Sequence, residues 1–177
     1  MTTGNESKKP ATRQNAVDIA SLIASLGAAG AISRQSARKR LVSVGKPAVP
    51  HLIKCLSDPR GHVRWEAAKA LGSIRDPNAA GVLVNALEDK DGDVRWLAAV
   101  GLATLGHDGL QPLLMALLER PDSDWLRDGA HHVCHNLARA ESGELVRPLL
   151  VALDQQEPEM AVPQAAYEVL SALRGQV

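Results

Sequence analysis

Histidines form the one stretch of this sequence whose residue types and spacing could do chemistry. The segment "DGAHHVCHN", residues 128–136, places Asp128, His131, His132 and His135 on one face of a predicted helix. His131 and His135 are four residues apart, a spacing that lets two imidazoles bind one divalent metal ion. Together with the Asp128 carboxylate, they would suit zinc, nickel or ferrous iron.

Three interpretations of this cluster stay open: a polar or partner-contacting helix face, adventitious metal binding, and a functional metal site. A cluster on the exposed side of one helix has no second wall to exclude water, and Cys134 is predicted to face the core, so it is no ligand. We therefore predict no metal and no cofactor. A metal-dependent activity centred on Asp128, His131 and His135 remains the alternative.

Other enzyme classes find no support in the sequence. We recognise no glycine-rich phosphate loop, nucleophile elbow or pair of catalytic carboxylates, so we predict that the chain is not an enzyme. Cys55 and Cys134 are the only cysteines, and both lie among apolar neighbours on predicted helices. This pattern predicts buried free thiols and a cytoplasmic location.

Composition favours a helical core of small side chains. Hydrophobic residues make up 45% of the 177 residues, but aromatics only 2%, and phenylalanine is absent. Twenty basic residues balance 20 acidic ones, which argues against a dedicated nucleic-acid binder. Residues 1–14 are polar and are predicted to form a disordered tail, with one domain over 15–177. No signal peptide or membrane span is predicted, so we expect no membrane partner.

A repeat organises the domain. Residues 62–74 ("HVRWEAAKALGSI") and 93–105 ("DVRWLAAVGLATL") align without gaps at a separation of 31 residues. The second-helix segments 48–58 and 79–89 also align with each other and are again 31 residues apart. Weaker copies occur at 110–119, 124–137 and 145–154. Segments 33–44 and 161–173 bracket the array, and 16–27 is predicted to be a lone opening helix. The period predicts an all-α fold of about ten helices, in which helical hairpins stack because one hairpin cannot bury its apolar face alone.

These residues resemble HEAT repeats, specifically the short HEAT-like repeats of phycobilisome lyases. The motif runs from Leu56 to Gly72 and is partly repeated from Leu87 to Leu102. The resemblance covers residues 16–174 and implies an alpha-alpha superhelix, an armadillo/HEAT-type solenoid of bacterial kind. It also implies protein binding, with a lyase-type chaperone for a prosthetic group as an alternative.

The resemblance further implies a ladder of ion pairs, in which an Asp before each first helix bonds an Arg within that helix. Asp58 would serve Arg64, and Asp89 would serve Arg95. Arg34 and Arg127 occupy equivalent positions, but no Asp lies six residues before either. We interpret these arginines as structural and not catalytic.

Helical periodicity divides the first helix of each unit into a buried and an outward arc. The outward arc of 93–105 is entirely apolar and includes Trp96 and Val100. The equivalent arcs hold Trp65 one unit earlier and Tyr167 in the last unit, so three of the four aromatics are predicted on one outer ridge. This ridge is either a modest exposed patch without a role or a surface covered by a partner, a second copy or the N-terminal tail.

The second helices are predicted to line a concave groove that becomes more apolar towards the C-terminus. Its outward positions are flanked by Leu113 and Leu149, which the HEAT resemblance implicates in partner binding. Packing between units is the alternative role for both leucines.

We predict a non-catalytic protein-binding scaffold or adaptor whose partner is another protein or a second copy of the chain. Aromatic anchors are common at binding hot spots, and titration of imidazoles near neutral pH could make affinity depend on pH. The predicted partner-binding residues are Trp65, Trp96, Val100, His131, His132, His135, Leu113 and Leu149.

Overall fold

A computed structural model describes residues 18–139 and 143–175. Over these residues the chain forms ten α-helices and no β-strand. The predicted tail, residues 1–14, lies outside the described residues. The helices are α1 (Ile19–Leu26), α2 (Ala31–Val44), α3 (Val49–Cys55), α4 (Gly61–Ile74), α5 (Ala80–Ala86), α6 (Gly92–Leu105), α7 (His107–Glu119), α8 (Asp124–Leu137), α9 (Gly143–Leu153) and α10 (Pro158–Arg174).

Backbone conformation ends two of the longer helices sharply. Gly45 follows α2 with φ at 73°, and Gly106 follows α6 with φ at 61°. Positive φ strains residues that carry a Cβ, so glycine at these positions allows the chain to reverse into the next helix. The α2–α3 and α6–α7 hairpins therefore close over short connections.

The hairpins stack into an α-solenoid, as the repeat predicts. Helices α2, α4, α6 and α8 pack against one another in sequence, and we call them the row helices. Helices α3, α5 and α7 pack behind them, each against a row helix. The predicted core stripes of α4, α6 and α8 are confirmed except at two helix ends, where Ile74 and Leu105 are only half-buried. The fully or nearly fully buried members are Val63, Ala67, Ala70, Leu71, Val94, Ala98, Leu102, Leu126, Ala130, Val133, Cys134 and Leu137.

Two glycines bring α4 and α6 unusually close. A Cβ added to Gly72 would lie 3.0 Å from the Cα of Gly101. A Cβ added to Gly101 would lie 3.1 Å from Cδ1 of Leu83 on α5. Because neither helix carries a side chain at the crossing, their backbones meet directly, and the outer surface above the crossing is left as a shallow groove.

The final hairpin departs from the prediction. Helix α10 packs against α7 and α9 and does not extend the row beyond α8. Tyr167 is exposed as predicted, but it projects from α10 and not from the outer ridge. A helical wheel identifies which arc of a helix is exposed, but it cannot say against which neighbour the opposite arc packs.

The predicted apolar groove on the second helices is wrong at its C-terminal end. Leu113 and Leu149 are fully buried, so neither can contact a partner in this conformation. Both lie on α7 and α9, the two helices against which α10 packs. Their apolar character is therefore explained by packing within the chain, the alternative that the sequence left open.

Candidate functional site

Three grooves cross the outer surface of the row helices, one at each junction. Groove A, of about 390 Å³, lies between α2 and α4 and is lined by Ile32, Trp65 and Lys69 among others. Groove B, of about 290 Å³, lies between α4 and α6. Groove C, of about 250 Å³, lies between α6 and α8. Lys69 lines both A and B, and Trp96 lines both B and C, so the three grooves adjoin one another at these side chains, and we call their row the groove path.

Trp96 stands at the centre of this path. Its residue surface is 57% exposed, although its neighbours Leu97 and Ala99 on the same helix are buried. Val100, one turn further along α6, is half-buried and lines groove B with it. An indole this exposed leaves a large apolar surface in water, which is a common feature of binding sites.

The apolar arc predicted for α6 is thus only partly open to solvent. Ala99 is 2% exposed because α4 and α8 pack on either side of α6. Neighbouring row helices therefore cover the small residues of the arc, whereas the long indole of Trp96 extends beyond them.

Trp125 is a member of this surface that the sequence reasoning missed. It lies in the first turn of α8, is exposed, and lines groove C with Trp96. The guanidinium carbon of Arg95 lies 4.5 Å from the centroid of its ring, a cation–π distance. The sequence contained one signal for this placement. Trp125 directly precedes the core residue Leu126, and a side chain beside the buried stripe of α8 can reach the preceding row helix, α6.

Trp65, by contrast, is half-buried and holds two cations. Nζ of Lys69 lies 4.6 Å from its ring centroid, and Cζ of Arg38 lies 5.6 Å away. Arg38 also donates from Nη1 to Oε2 of Glu66 at 2.8 Å, an ion pair that is almost completely buried. The ring of Trp65 is therefore fixed by charged neighbours from its own helix and from α2.

Four arginines tie the units together through the main chain. In each unit the Arg donates from Nη1 to the carbonyl six residues earlier: Arg34 to Ala28, Arg64 to Asp58, Arg95 to Asp89, and Arg127 to Pro121. Since the acceptor is a carbonyl oxygen, the bond needs no Asp at that position. This explains why Arg34 and Arg127 keep the contact without one.

The ladder of Asp–Arg ion pairs predicted from the resemblance joins different residues from those predicted. Arg64 donates from Nε and Nη2 to both oxygens of Asp89, in the next unit, at 2.7 and 2.8 Å. The carboxylate of Asp58 instead pairs with Arg60, whose hydrogen bond lowers the pKa of Asp58 to about 2. The predicted side-chain pairs Asp58–Arg64 and Asp89–Arg95 are therefore wrong, and the buried pair links one unit to the next.

The three histidines of the cluster lie in two different environments, one in groove C and one towards α9. His132 lines groove C, with its ring centroid 6.4 Å from that of Trp96. His131 lies 3.1 Å through Nε2 from Oδ1 of Asp154, just after α9, and stacks with His135. Within 18–139 and 143–175, no three His, Cys, Asp or Glu residues are arranged to hold a metal ion.

Burial lowers the pKa of His132, and the nearby His135 and His131 lower it further. The unfolded chain therefore takes up this proton more readily, so stability falls as pH drops below the ordinary value of 6.5. We expect the urea midpoint to be lower at pH 5.5 than at pH 7.5, and His132→Asn to reduce that difference. NMR titration of the imidazole should give a pKa below 6.5, and an ordinary value would contradict this assignment.

Both cysteines are free and buried, which confirms the prediction. Burial raises the pKa of Cys134 to about 12 and, with a smaller contribution from the Asp58 carboxylate, also raises that of Cys55. Thiols held in this protonated state are poor nucleophiles, so neither cysteine is a candidate for catalysis.

Comparison with known proteins bears on the repeated segment. A family model described as HEAT repeats matches residues 49–133, from the start of α3 into α8. This match confirms the predicted HEAT resemblance there, and it covers grooves B and C together with the α4 wall of groove A. Comparison with curated proteins finds none that matches the chain.

Solved structures of designed proteins resemble the chain over most of its length. An engineered protein is 21% identical, with 88% of this chain and 79% of that chain covered and a TM-score of 0.45. A designed armadillo repeat protein in complex with the peptide (KR)4 is 19% identical, covering 90% and 93%, with a TM-score of 0.41. A second designed armadillo repeat protein is 17% identical, covering 88% and 100%, with a TM-score of 0.37.

None of the helices in the described part of the chain combines the length and the apolarity needed to cross a membrane.

Proposed function

We propose that this chain is a non-catalytic protein-binding scaffold that holds a partner along the grooves of its row helices. One observation carries the proposal: the three grooves share Lys69 and Trp96, so they adjoin in one row with an exposed indole at its centre. A path that crosses four stacked helices offers a rigid surface, and rigidity lowers the entropic cost of binding.

The residues proposed to contact the partner differ in how much they are expected to contribute to binding. Trp96 and Trp125 are the main anchors, because both side chains are exposed and both line groove C. Trp65, Val100 and His132 support them from the walls of the grooves. His131 and His135 lie outside the three grooves described above, towards Asp154, and would contact only a partner that extends beyond groove C.

Replacement of the central indole tests the proposal. Trp96→Ala should weaken partner binding about thirtyfold, the loss expected for a hot-spot residue worth about 2 kcal/mol. Tyr167→Ala is the matched control, because it removes another exposed aromatic from α10, away from the row. Both variants and the parent are used as bait in the same host lysate, and captured proteins are quantified by mass spectrometry.

Proteins captured by the parent and by Tyr167→Ala but lost from Trp96→Ala are the result expected. Equal capture by all three baits would remove the anchor role. Sedimentation of the pure chain separates the two kinds of partner, since self-association through the same path would lower the apparent mass of Trp96→Ala relative to the parent.

The finer expectations from the resemblance remain part of this proposal. Buried free thiols support a reducing, cytoplasmic location for the scaffold. The phycobilisome-lyase subtype would make the partner a protein that receives a prosthetic group. A pigment that co-purifies with the chain and is lost with Trp96→Ala is the result that would favour this more specific role.

A further inference from the structure

Groove A contains more positive charge than its one carboxylate neutralises. Arg34, Arg38 and Lys69 line it together with Glu66. Arg38 bonds Oε2 of Glu66 at 2.8 Å, whereas Nε of Arg34 lies 3.9 Å from Oε1, beyond hydrogen-bond range. Nε of Arg34 is also buried without a hydrogen-bond partner. Two guanidinium groups thus share one carboxylate, and Lys69 adds a third, exposed cation.

Apolar surface lies directly beside these cations. Ile32, on α2, is 84% exposed and lines the groove with Trp65. Ile32 also borders a neighbouring depression that contains Arg40, so the positive surface continues past it. A ligand for this groove would combine negative charge with at least one apolar side chain.

The part of the chain that contains groove A also carries a net positive charge. Residues 1–75 contain 13 Lys and Arg against four Asp and Glu, a net charge of +9. Residues 76–177 contain seven against 16, a net charge of −9. The neutral total therefore conceals two oppositely charged halves, and groove A lies wholly in the basic half. Such a field attracts acidic partners and orients them during encounter.

The observations favour a peptide over the other polyanions. Single-stranded nucleic acids bind by stacking successive bases on aromatic rings, but among the described residues Trp65 is the one tryptophan, tyrosine or phenylalanine that lines groove A. A long polyanion would also meet the acidic half of the chain. A groove of about 390 Å³ admits a few side chains of an extended segment, whereas the helical face of a second copy is broader.

We propose that groove A binds an acidic segment of a partner protein, with carboxylates at Arg34 and Lys69 and an apolar side chain against Ile32 and Trp65. This inference rests on the proposed scaffold function and specifies the chemistry of the partner at the N-terminal end of the path. Electrostatic attraction supplies orientation here, and the tryptophans of groove C supply apolar contact further along.

A pair of synthetic peptides tests the proposal on the full chain. One labelled peptide of about ten residues contains Asp, Glu and Leu, and the other has Asn and Gln in place of every acid. Fluorescence anisotropy should show the acidic peptide binding about tenfold or more tightly at about 50 mM salt, with most of that difference lost at about 300 mM salt. Equal binding of the two peptides would overturn the proposal.

Charge reversal identifies the groove. Lys69→Glu should weaken binding of the acidic peptide about tenfold, a loss of about 1.4 kcal/mol. Lys90→Glu is the matched control, because it makes the same charge change at an exposed position in the acidic half and should have little effect. Equal losses in the two variants would place the peptide elsewhere and overturn the proposal.

The competing occupants give distinct results. Tighter binding of a labelled single-stranded oligonucleotide than of the acidic peptide would overturn the proposal, as would a doubled sedimentation mass without any peptide binding. Trp96 lies outside groove A, so the two proposals can fail separately. If Trp96→Ala loses its partner but the peptides bind equally, the scaffold stands and the acidic preference is wrong.

Discussion

Glu66→Ala should lower the free energy of unfolding by about 3–5 kcal/mol, one of the two largest effects we expect in this chain. The side chain of Glu66 is 7% exposed, and it accepts the hydrogen bond of the buried Arg38. Its removal leaves Arg38 without a carboxylate and takes away the nearest anion from Arg34. An uncompensated buried charge is far more costly than the net gain from the pair that it replaces.

Urea unfolding followed by circular dichroism measures this loss. Glu144→Ala is the matched control, because Glu144 forms an exposed pair with Arg147 and should contribute less than about 0.5 kcal/mol. The double replacement Arg38→Met with Glu66→Leu should recover part of the stability, since it removes both charges. A loss in Glu66→Ala no larger than that in Glu144→Ala would show that the buried pair does not stabilise the row.

Asp89→Ala should cost about 3 kcal/mol, because it breaks the buried pair that joins two successive units. Arg64 and Asp89 are 6% and 10% exposed at their side chains. The loss falls at the lower end of the usual range because Arg64 keeps the carbonyl oxygens of Asp58 and Pro59 as acceptors. We expect the urea midpoint to fall accordingly, with Asp124→Ala, an exposed carboxylate, as the control.

The same pair should contribute to the dependence of stability on pH. Burial alone would raise the pKa of Asp89, but hydrogen bonds from Arg64 and from the backbone N–H of Asp91 outweigh it and hold the pKa below its ordinary value of 3.8. The stabilisation is therefore complete above pH 3.8 and is lost as pH falls through the folded-state pKa. Parent and Asp89→Ala should converge in stability at low pH, and a constant difference between them would contradict the assignment.

These two ion pairs bear on function because they set the positions of the row helices. Arg38 and Glu66 connect α2 to α4, and Arg64 on α4 reaches Asp89 before α6. Grooves A and B lie at these same junctions. A scaffold whose grooves are defined by buried pairs presents a preformed surface, which suits binding without rearrangement.

Much of the fold could be predicted from the pattern of hydrophobic residues within short segments of the sequence. The 31-residue period, the helical hairpins and the core stripes of α4, α6 and α8 could all be predicted, because the periodicity of a helix depends only on neighbouring residues. The burial of Cys55 and Cys134 follows from the same reasoning. The exposure of Trp96 was predicted as well, since it lies opposite the core stripe.

The remaining features depend on how helices from different units pack, and no single-helix pattern contains that information. Asp89 could have paired with Arg95 in its own unit, and only the rise from one unit to the next places it against Arg64. The position of α10 against α7 and α9 likewise decides that Leu113 and Leu149 are buried. Trp125 and Trp96 line the same groove C because α8 packs on α6. Periodicity along one helix determines which side is buried, whereas relative rotation and translation between helices determine which side chains meet.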